Sequence, residues 1–400
     1  MLLNGNRSQR IAIVVNKMVT HTFDDESEVS CMGTLLKTQR YRVISGIAIT
    51  AVALMVAGCA GQADPVTEAS PDAEGASNQT VAFLLPENVL PRWENLDAPL
   101  FKEALGEYSP TVEVLTFNAE NDSSKQQQQA EQALTQGADV LVIIAVDQKA
   151  AGLIVKSAKA ASVPVLAYDR LILDSPVDYY VSVDGTKVGE LQGQWLAENT
   201  RDGDNIVVMN GSQSDDNAHL FNEGYMSVLQ PLFDSGARNL VYEGWTPGWD
   251  PTAAQSAMEQ ALTQVNDDVQ GVLSANDGMA ASIVTALGAQ GLAGEVPVTG
   301  LDGTTQALQL ILQGKQGMTV YRSLKQQADQ AAQIVSALLK GQKPATELFT
   351  GTVNNGQLDI PWATVKPMVI DQSNVSVVMD ETGLKPSDVC TGVKAGVGPC

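Results

Sequence analysis

The sequence predicts an α/β fold in two lobes, each a parallel sheet covered by helices. Between residues 80 and 389, short apolar runs alternate with longer stretches of helical period, the mark of repeated strand–helix units. The runs are β-branched and almost continuously apolar, as strands buried on both faces should be. Roughly 310 residues also exceed what one hydrophobic core usually serves, so two lobes are expected.

In the first half the strand candidates are 80–85, 112–117, 140–146 and 165–168, separated by helical stretches near 96–105, 124–136 and 150–161. After a run at 180–183 a second series follows. Its strands are 206–209, 240–242, 271–274 and 296–299, with helices near 188–199, 220–232, 253–264, 279–289 and 305–313. A further strand at 318–321 and a long helix at 324–340 come too late for that series. They fit a chain that crosses back to complete the first lobe. Glutamines 126–129 read as a solvated helix face, with Ala130, Ala133 and Leu134 as its inward stripe.

The stretch VISGIAITAVALMVAGC, residues 43–59, reads as a lipoprotein export signal. Lys37, Arg40 and Arg42 precede its apolar core, and Ala57 and Gly58 stand directly before Cys59. The run is shorter than the roughly 20 residues that span a bilayer. Cleavage before Cys59 and a lipid on its sulfur are therefore expected, with 32–58 as signal peptide. Residues 1–31 read as an upstream extension, Met32 being a plausible start; a cytoplasmic tail is the alternative. Residues 59–79, rich in Ala, Gly, Pro, Ser and acids, have the composition of a flexible tether.

The formal charge is −22; residues 1–58 hold six Lys and Arg against four Asp and Glu, so the chain after Cys59 is predicted to carry −24. Such a surface repels nucleic acid and anionic lipid. Cys390 and Cys400 close a Gly-rich loop and are expected to form a disulfide at the C-terminus, 390–400. Two sulfurs with no nearby histidine offer little to a metal, and no cofactor is indicated.

In an open parallel sheet, ligands bind beyond the carboxyl ends of the strands. The tips here read PENVLPRW (86–93), YDR (168–170), NGSQSDDNA (210–218), GWTPGWD (244–250), SANDG (274–278), GLDG (300–303) and VYR (320–322). Carboxylates and amides bond vicinal hydroxyls, Arg forks across two of them, and Trp covers the apolar faces of a sugar ring. No Gly-rich phosphate loop follows a strand. The inventory points to a neutral polyhydroxylated ligand. Singly, an Asp or Asn at a strand tip is often only a helix cap; together the tips offer one chemical theme. His219 has no second imidazole beside it and reads as a surface residue in a first helical turn.

The elements RW, LAYDR, DNA-x-LF (216–221), GW-x-P (Trp249, Pro251), SAND, GLDG and TVYR resemble, in order and spacing over about 80–380, the periplasmic xylose-binding and multiple-sugar-binding receptors. That resemblance implies two Rossmann-like lobes with parallel sheets joined by a three-stranded hinge, the type I periplasmic-binding-protein fold. The lobes are expected at 80–182 plus 324–352 and at 183–323 plus 353–389, with crossings near 182–184, 321–323 and 353–356. Carried over by position, Arg92 and Trp93 supply a fork and a stacking face, and Trp249 supplies the opposite face. Asp169 and Arg170 bind hydroxyls from the first lobe; Asp216, Asn217, Asn276 and Asp302 do so from the second. Asp277 is a ligand contact or a loop cap. Arg322 stands where a lysine is expected in xylose binders, and GLDG where GQDA is, which leaves the sugar open.

The implied function is a lipid-anchored extracytoplasmic receptor, a monomer, that captures a monosaccharide by hinge closure and presents it to an ABC transporter permease. No catalytic residue is assigned; a glycosidase would need a proton donor, and acids flanked by Arg and Asn stay ionised. A sensor serving a membrane histidine kinase or chemoreceptor shares the same ligand chemistry and stays an alternative. A DNA-binding regulator does not fit, since an export signal occupies the place of a DNA-binding head.

Overall fold

The computed structural model describes residues 79–400. The export signal, Cys59 and nearly all of the tether lie outside these residues. The strands are β1 (Thr80–Leu85), β2 (Glu113–Asn118), β3 (Val140–Ile143), β4 (Val165–Tyr168), β5 (Tyr179–Val183), β6 (Asp204–Asn210), β7 (Arg238–Trp245), β8 (Gly271–Ser274), β9 (Thr319–Tyr321), β10 (Gly351–Asn354), β11 (Asp359–Val365) and β12 (Met368–Ile370). The helices are α1 (Ala98–Tyr108), α2 (Ser123–Thr135), α3 (Gly152–Ala160), α4 (Gly185–Glu198), α5 (Asp216–Asp234), α6 (Pro251–Gln264), α7 (Asp277–Ala289), α8 (Thr305–Leu312), α9 (Leu324–Leu339), α10 (Ser376–Thr382) and α11 (Pro386–Val389). No helix among the described residues is long and apolar enough to cross a membrane.

The first lobe is a seven-stranded sheet in the order β10-β11-β5-β4-β3-β1-β2, parallel except for β10. In β1, Val81, Phe83 and Leu85 join one buried cluster while Ala82 and Leu84 join another on the opposite face. Alternate side chains leave a strand on opposite sides, so a strand covered twice has an unbroken apolar sequence. Helix α9 crosses back from the second lobe and packs Ala328, Ala331, Ala332 and Val335 onto the face that also holds Phe101 and Leu105 of α1. The second lobe is built on β7-β6-β8, all parallel, with the antiparallel pair β12-β9 beside them.

Three expectations need correction. Residues 296–299 form no strand, only isolated parallel bridges, Val298 to Val272 and Val296 to Ala293; Val272 N donates to Pro297 O and Thr299 N to Val272 O, but Pro297 has no N–H to extend the ladder. The third crossing does not fall at 353–356, and 353–365 does not belong to the second lobe. Strands β10 and β11 form a hairpin whose β11 pairs with β5, so the chain leaves the first lobe between Val365 and Met368. The register Trp362–Tyr180 to Val365–Val183 gives β11 four partners that a second-lobe placement would forfeit. Finally, Gln126 is buried rather than solvated: its amide donates to Ile144 O at 2.8 Å and accepts from Val146 N at 3.0 Å. It satisfies backbone where β3 stops pairing, which is why the strand ends at Ile143 and not at Val146.

Between the crossings, Asp184 caps α4 and Ser323 caps α9, each side chain accepting from a backbone N–H of the first turn. The C-terminal tail folds back on α8, and the Cys390–Cys400 disulfide closes it. Gln309 of α8 and Gln313, its C-cap, donate to the carbonyls of Asp388 and Thr391.

Candidate ligand-binding site

The carboxyl ends of the strands from both lobes meet around one cavity of about 20 Å³, far below the roughly 300–1,000 Å³ usual for small-molecule sites, because side chains of the two lobes reach one another across it. Its walls include Arg92, Trp93, Asp169 and Arg170 from the first lobe, and Asn217, Trp249, Asn276 and Asp302 from the second. Arg322, at the second crossing, lines it too. The structure therefore brings nine of the eleven residues singled out in the sequence around one space.

Local backbone explains how these side chains arrive. Arg92 leads into a single π-helical turn, Trp93–Asp97, ahead of α1. That extra turn faces Arg92 and Asp97 toward each other, with Arg92 Nε and Nη2 donating to the two carboxylate oxygens at 2.9 and 2.8 Å. Asp169, Trp249 and Asp302 adopt positive φ angles of 64°, 58° and 109°. Such conformations cost energy in non-glycine residues, and here three of them point into the same cavity. Gly211 lets the Trp249 ring lie against the backbone after β6: a Cβ there would stand 2.0 Å from the ring.

The charged groups form one buried network. Asp169 Oδ2 accepts from Arg322 Nη2 at 2.6 Å and Arg92 Nη2 at 3.1 Å. Asp302 Oδ1 accepts from Arg92 Nη1 at 2.9 Å and Arg322 Nη1 at 3.3 Å, tying the lobes together. Arg170 Nε lies 2.8 Å from Asp215 Oδ2 across the cleft, and its Nη1 donates to Ala145 O. Burial disfavours the charge on Asp169, but Arg322 and Arg92 outweigh it and hold its carboxyl well below the usual carboxylate range. Burial also works against the Arg92 cation, yet Asp97, Asp169 and Asp302 push its pKa higher still. Asp97 and Asp215 are pushed up by burial, offset in part by Arg92 and Arg170 respectively.

The aromatic groups are held by the same acids. Trp93 Nε1 donates to Glu87, and the guanidiniums of Arg92 and Arg170 sit 4.2 and 5.4 Å from its ring centroid. Trp249 Nε1 donates to Asp215 Oδ2 at 3.1 Å. Asn217 Nδ2 donates to Asp169 O at 3.0 Å, while its Oδ1 is buried without a partner. Asn276 spends its Oδ1 capping Met279 N.

Two expected site residues stay out of the walls. Asp216 lies in the first turn of α5, half-buried, and burial followed by the charge of Asp215 pushes it up to about 6. Its neighbour Asp215 lines the cavity instead, because it is the N-cap and turns inward before the helix begins. Asp277 is buried behind the wall. Sequence reasoning also missed Leu90, Phe221 and Leu301. Phe221 was findable, since it stands four residues after Asn217 on the same helix face. His219 is exposed, with its ring 4.9 Å from that of Trp245.

A cleft between two α/β lobes, joined by three crossings and furnished from both sides, defines a solute receptor of the type I kind rather than an enzyme. Residues 81–343 match the periplasmic binding protein domain, and the chain belongs to that family. It is 36% identical over 311 residues to the D-xylose-binding periplasmic protein of Escherichia coli (strain K12), covering 77% of this chain and 91% of that protein. Over 335 residues it is 32% identical to the multiple sugar-binding periplasmic receptor ChvE of Rhizobium radiobacter, covering 78% and 92%. Among solved structures, a carbohydrate transporter solute binding protein from Chloroflexus aurantiacus, in complex with D-glucose, is 30% identical with a TM-score of 0.71. That match covers 78% of this chain and 98% of the other.

Proposed function

We propose that this protein is the extracytoplasmic receptor of an ABC sugar importer and binds one monosaccharide, a pentose or related hexose, between its lobes. The observation that carries this reading is the composition of the cavity wall. Each of its guanidiniums contacts a carboxylate, so an ionic ligand would meet no unpaired charge. A neutral sugar can donate to the second lone pairs of those carboxylates and accept from remaining N–H groups. The unpartnered Oδ1 of Asn217 supplies one more acceptor. Trp93 and Trp249 supply apolar faces for the ring, and relatives named for xylose, several sugars and glucose support a monosaccharide as the ligand.

Wall residues come from both lobes, so sugar contacts are complete only when the lobes are closed, and binding shifts the equilibrium toward closure. Cys59 is the proposed lipid site, holding a monomeric receptor at the outer face of the membrane. Thermal melts with xylose, glucose, galactose, arabinose, ribose and fucose test the reading: at least one sugar should raise Tm by mass action. No shift with any of them would overturn it. Lipid anchoring is tested separately, by radiolabelled palmitate that should enter the wild type and not Cys59→Ser.

A further inference from the structure

Asp277 lies outside the cavity yet is tied to the loop that carries Leu301 and Asp302 into its wall. It opens α7 directly after Asn276 and is 2% exposed. Its Oδ2 accepts from Thr304 N at 2.9 Å and its Oδ1 from Gln316 Nε2 at 3.0 Å, while its own N–H donates to Leu301 O at 3.0 Å. Gly300 passes so close that a Cβ would stand 2.2 Å from Oδ1. Gln316 also donates to Met318 O, and Thr319 accepts from Gly303 N, which brings in β9 just ahead of Arg322. Among the described residues no cation pairs with Asp277.

An uncompensated buried carboxylate is costly, and helix capping does not account for this one: Asn276 caps α7 and Thr304 caps α8. We propose that Asp277, as a carboxylate, is a positioning residue for the sugar site. It fastens the 300–304 loop so that Asp302 reaches Arg92 and Arg322, and proton uptake on Asp277 releases that loop. The proposal rests on the sugar-receptor reading above.

The groups facing Asp277 are Asp302 and Thr304 from the loop, Thr319 from β9 and Gln316 from the turn before it. Burial first, and then the charge of Asp302, push its carboxyl up to about 7. Both oxygens accept, and a neutral carboxyl is a poorer acceptor than a carboxylate, so a proton on Asp277 weakens its hold on Thr304 N and Gln316. The ionised form is the binding form, and affinity falls as pH drops through neutrality. Asp216, pushed up to about 6 on α5, is the competing source of such a profile.

The test is calorimetric titration of the purified protein with the sugar that most stabilises the wild type, from about pH 5.5 to about 8.5. Wild-type affinity should rise about tenfold across that range, and Asp277→Asn should be about tenfold weaker at the alkaline end with a flat profile. Asp216→Asn should keep the wild-type profile. Thr304 has φ −65°, a value proline accepts, so Thr304→Pro deletes the N–H that Asp277 holds. It should weaken binding likewise, and the double variant should be no worse than the worse single. A cooperatively melting Asp277→Asn that binds within about twofold of wild type with an unchanged profile overturns the proposal. So does a profile abolished by Asp216→Asn instead, or additive losses in the double variant. Failure of the wild type to bind any sugar would instead overturn the receptor reading.

Discussion

Asp169 concentrates the chemistry of the cleft in one side chain: a carboxylate held between Arg92 and Arg322, with its own carbonyl accepting from Asn217 across the lobes. Replacing it with Asn leaves Arg92 and Arg322 sharing only Asp302, with Asp97 still on Arg92, so Asp169→Asn should lose about 1–3 kcal/mol at neutral pH. Urea melts should show this as a lowered midpoint at unchanged m. The folded carboxyl ionises below the ordinary value of about 3.9, so its contribution is full above that value and disappears as pH falls through the folded pKa. Wild type and variant should therefore converge in acid. At this scale the sequence was legible wherever a strand tip placed a polar residue next to a loop, as at Asp169–Arg170 or Asn276. It was ambiguous where two candidates adjoined. Of Asp215 and Asp216, the cap turns inward and the next residue turns out, a difference of one position in helix register that composition does not encode.

Helices α4 and α5 show how elements set the site. Gly185, Gly189 and Gly193 of α4 face α5, where Gly224 lies against Gly189, so the two backbones touch directly. A Cβ on Gly189 would stand 2.1 Å from Phe221 O and 2.9 Å from Gly224 Cα, and neither backbone atom can rotate away. Gly189→Ala should thus force the helices apart at about 1–3 kcal/mol. Thermal melting should fall by several degrees with the helical circular-dichroism signal retained. Sugar affinity should fall as well, because the first turn of α5 and its cap carry Asn217 and Asp215. Most elements were readable from apolar runs and helical period, the second series included. The hairpin β10–β11 was not, because its half-exposed edge residues carry little apolar signal and Pro361 argues against a strand. Pro361 is tolerated because β11 pairs in parallel with β5 only from Trp362 onward.

At the scale of the molecule, the lobes communicate through three crossings and through paired charges in the gap, Arg92 with Asp302 and Arg170 with Asp215. Addition of a bound sugar should reduce the radius of gyration in small-angle scattering, and an unchanged curve at saturation would count against closure. The return of the chain to its first lobe was legible from the late helix at 324–340, whose inward alanines needed a partner. The site of the last crossing was not, since register between distant strands leaves no local mark.

The interleaved course of the chain also sets an order of assembly. Strands β6 to β8 are contiguous in sequence, whereas the sheet begun by β1 lacks α9, β10 and β11 until almost the whole polypeptide exists. At ~5–20 residues per second, a ribosome leaves that first half unfinished for on the order of tens of seconds. The half that is born first is therefore the one that matures last, with the apolar flank of α1 waiting uncovered in between.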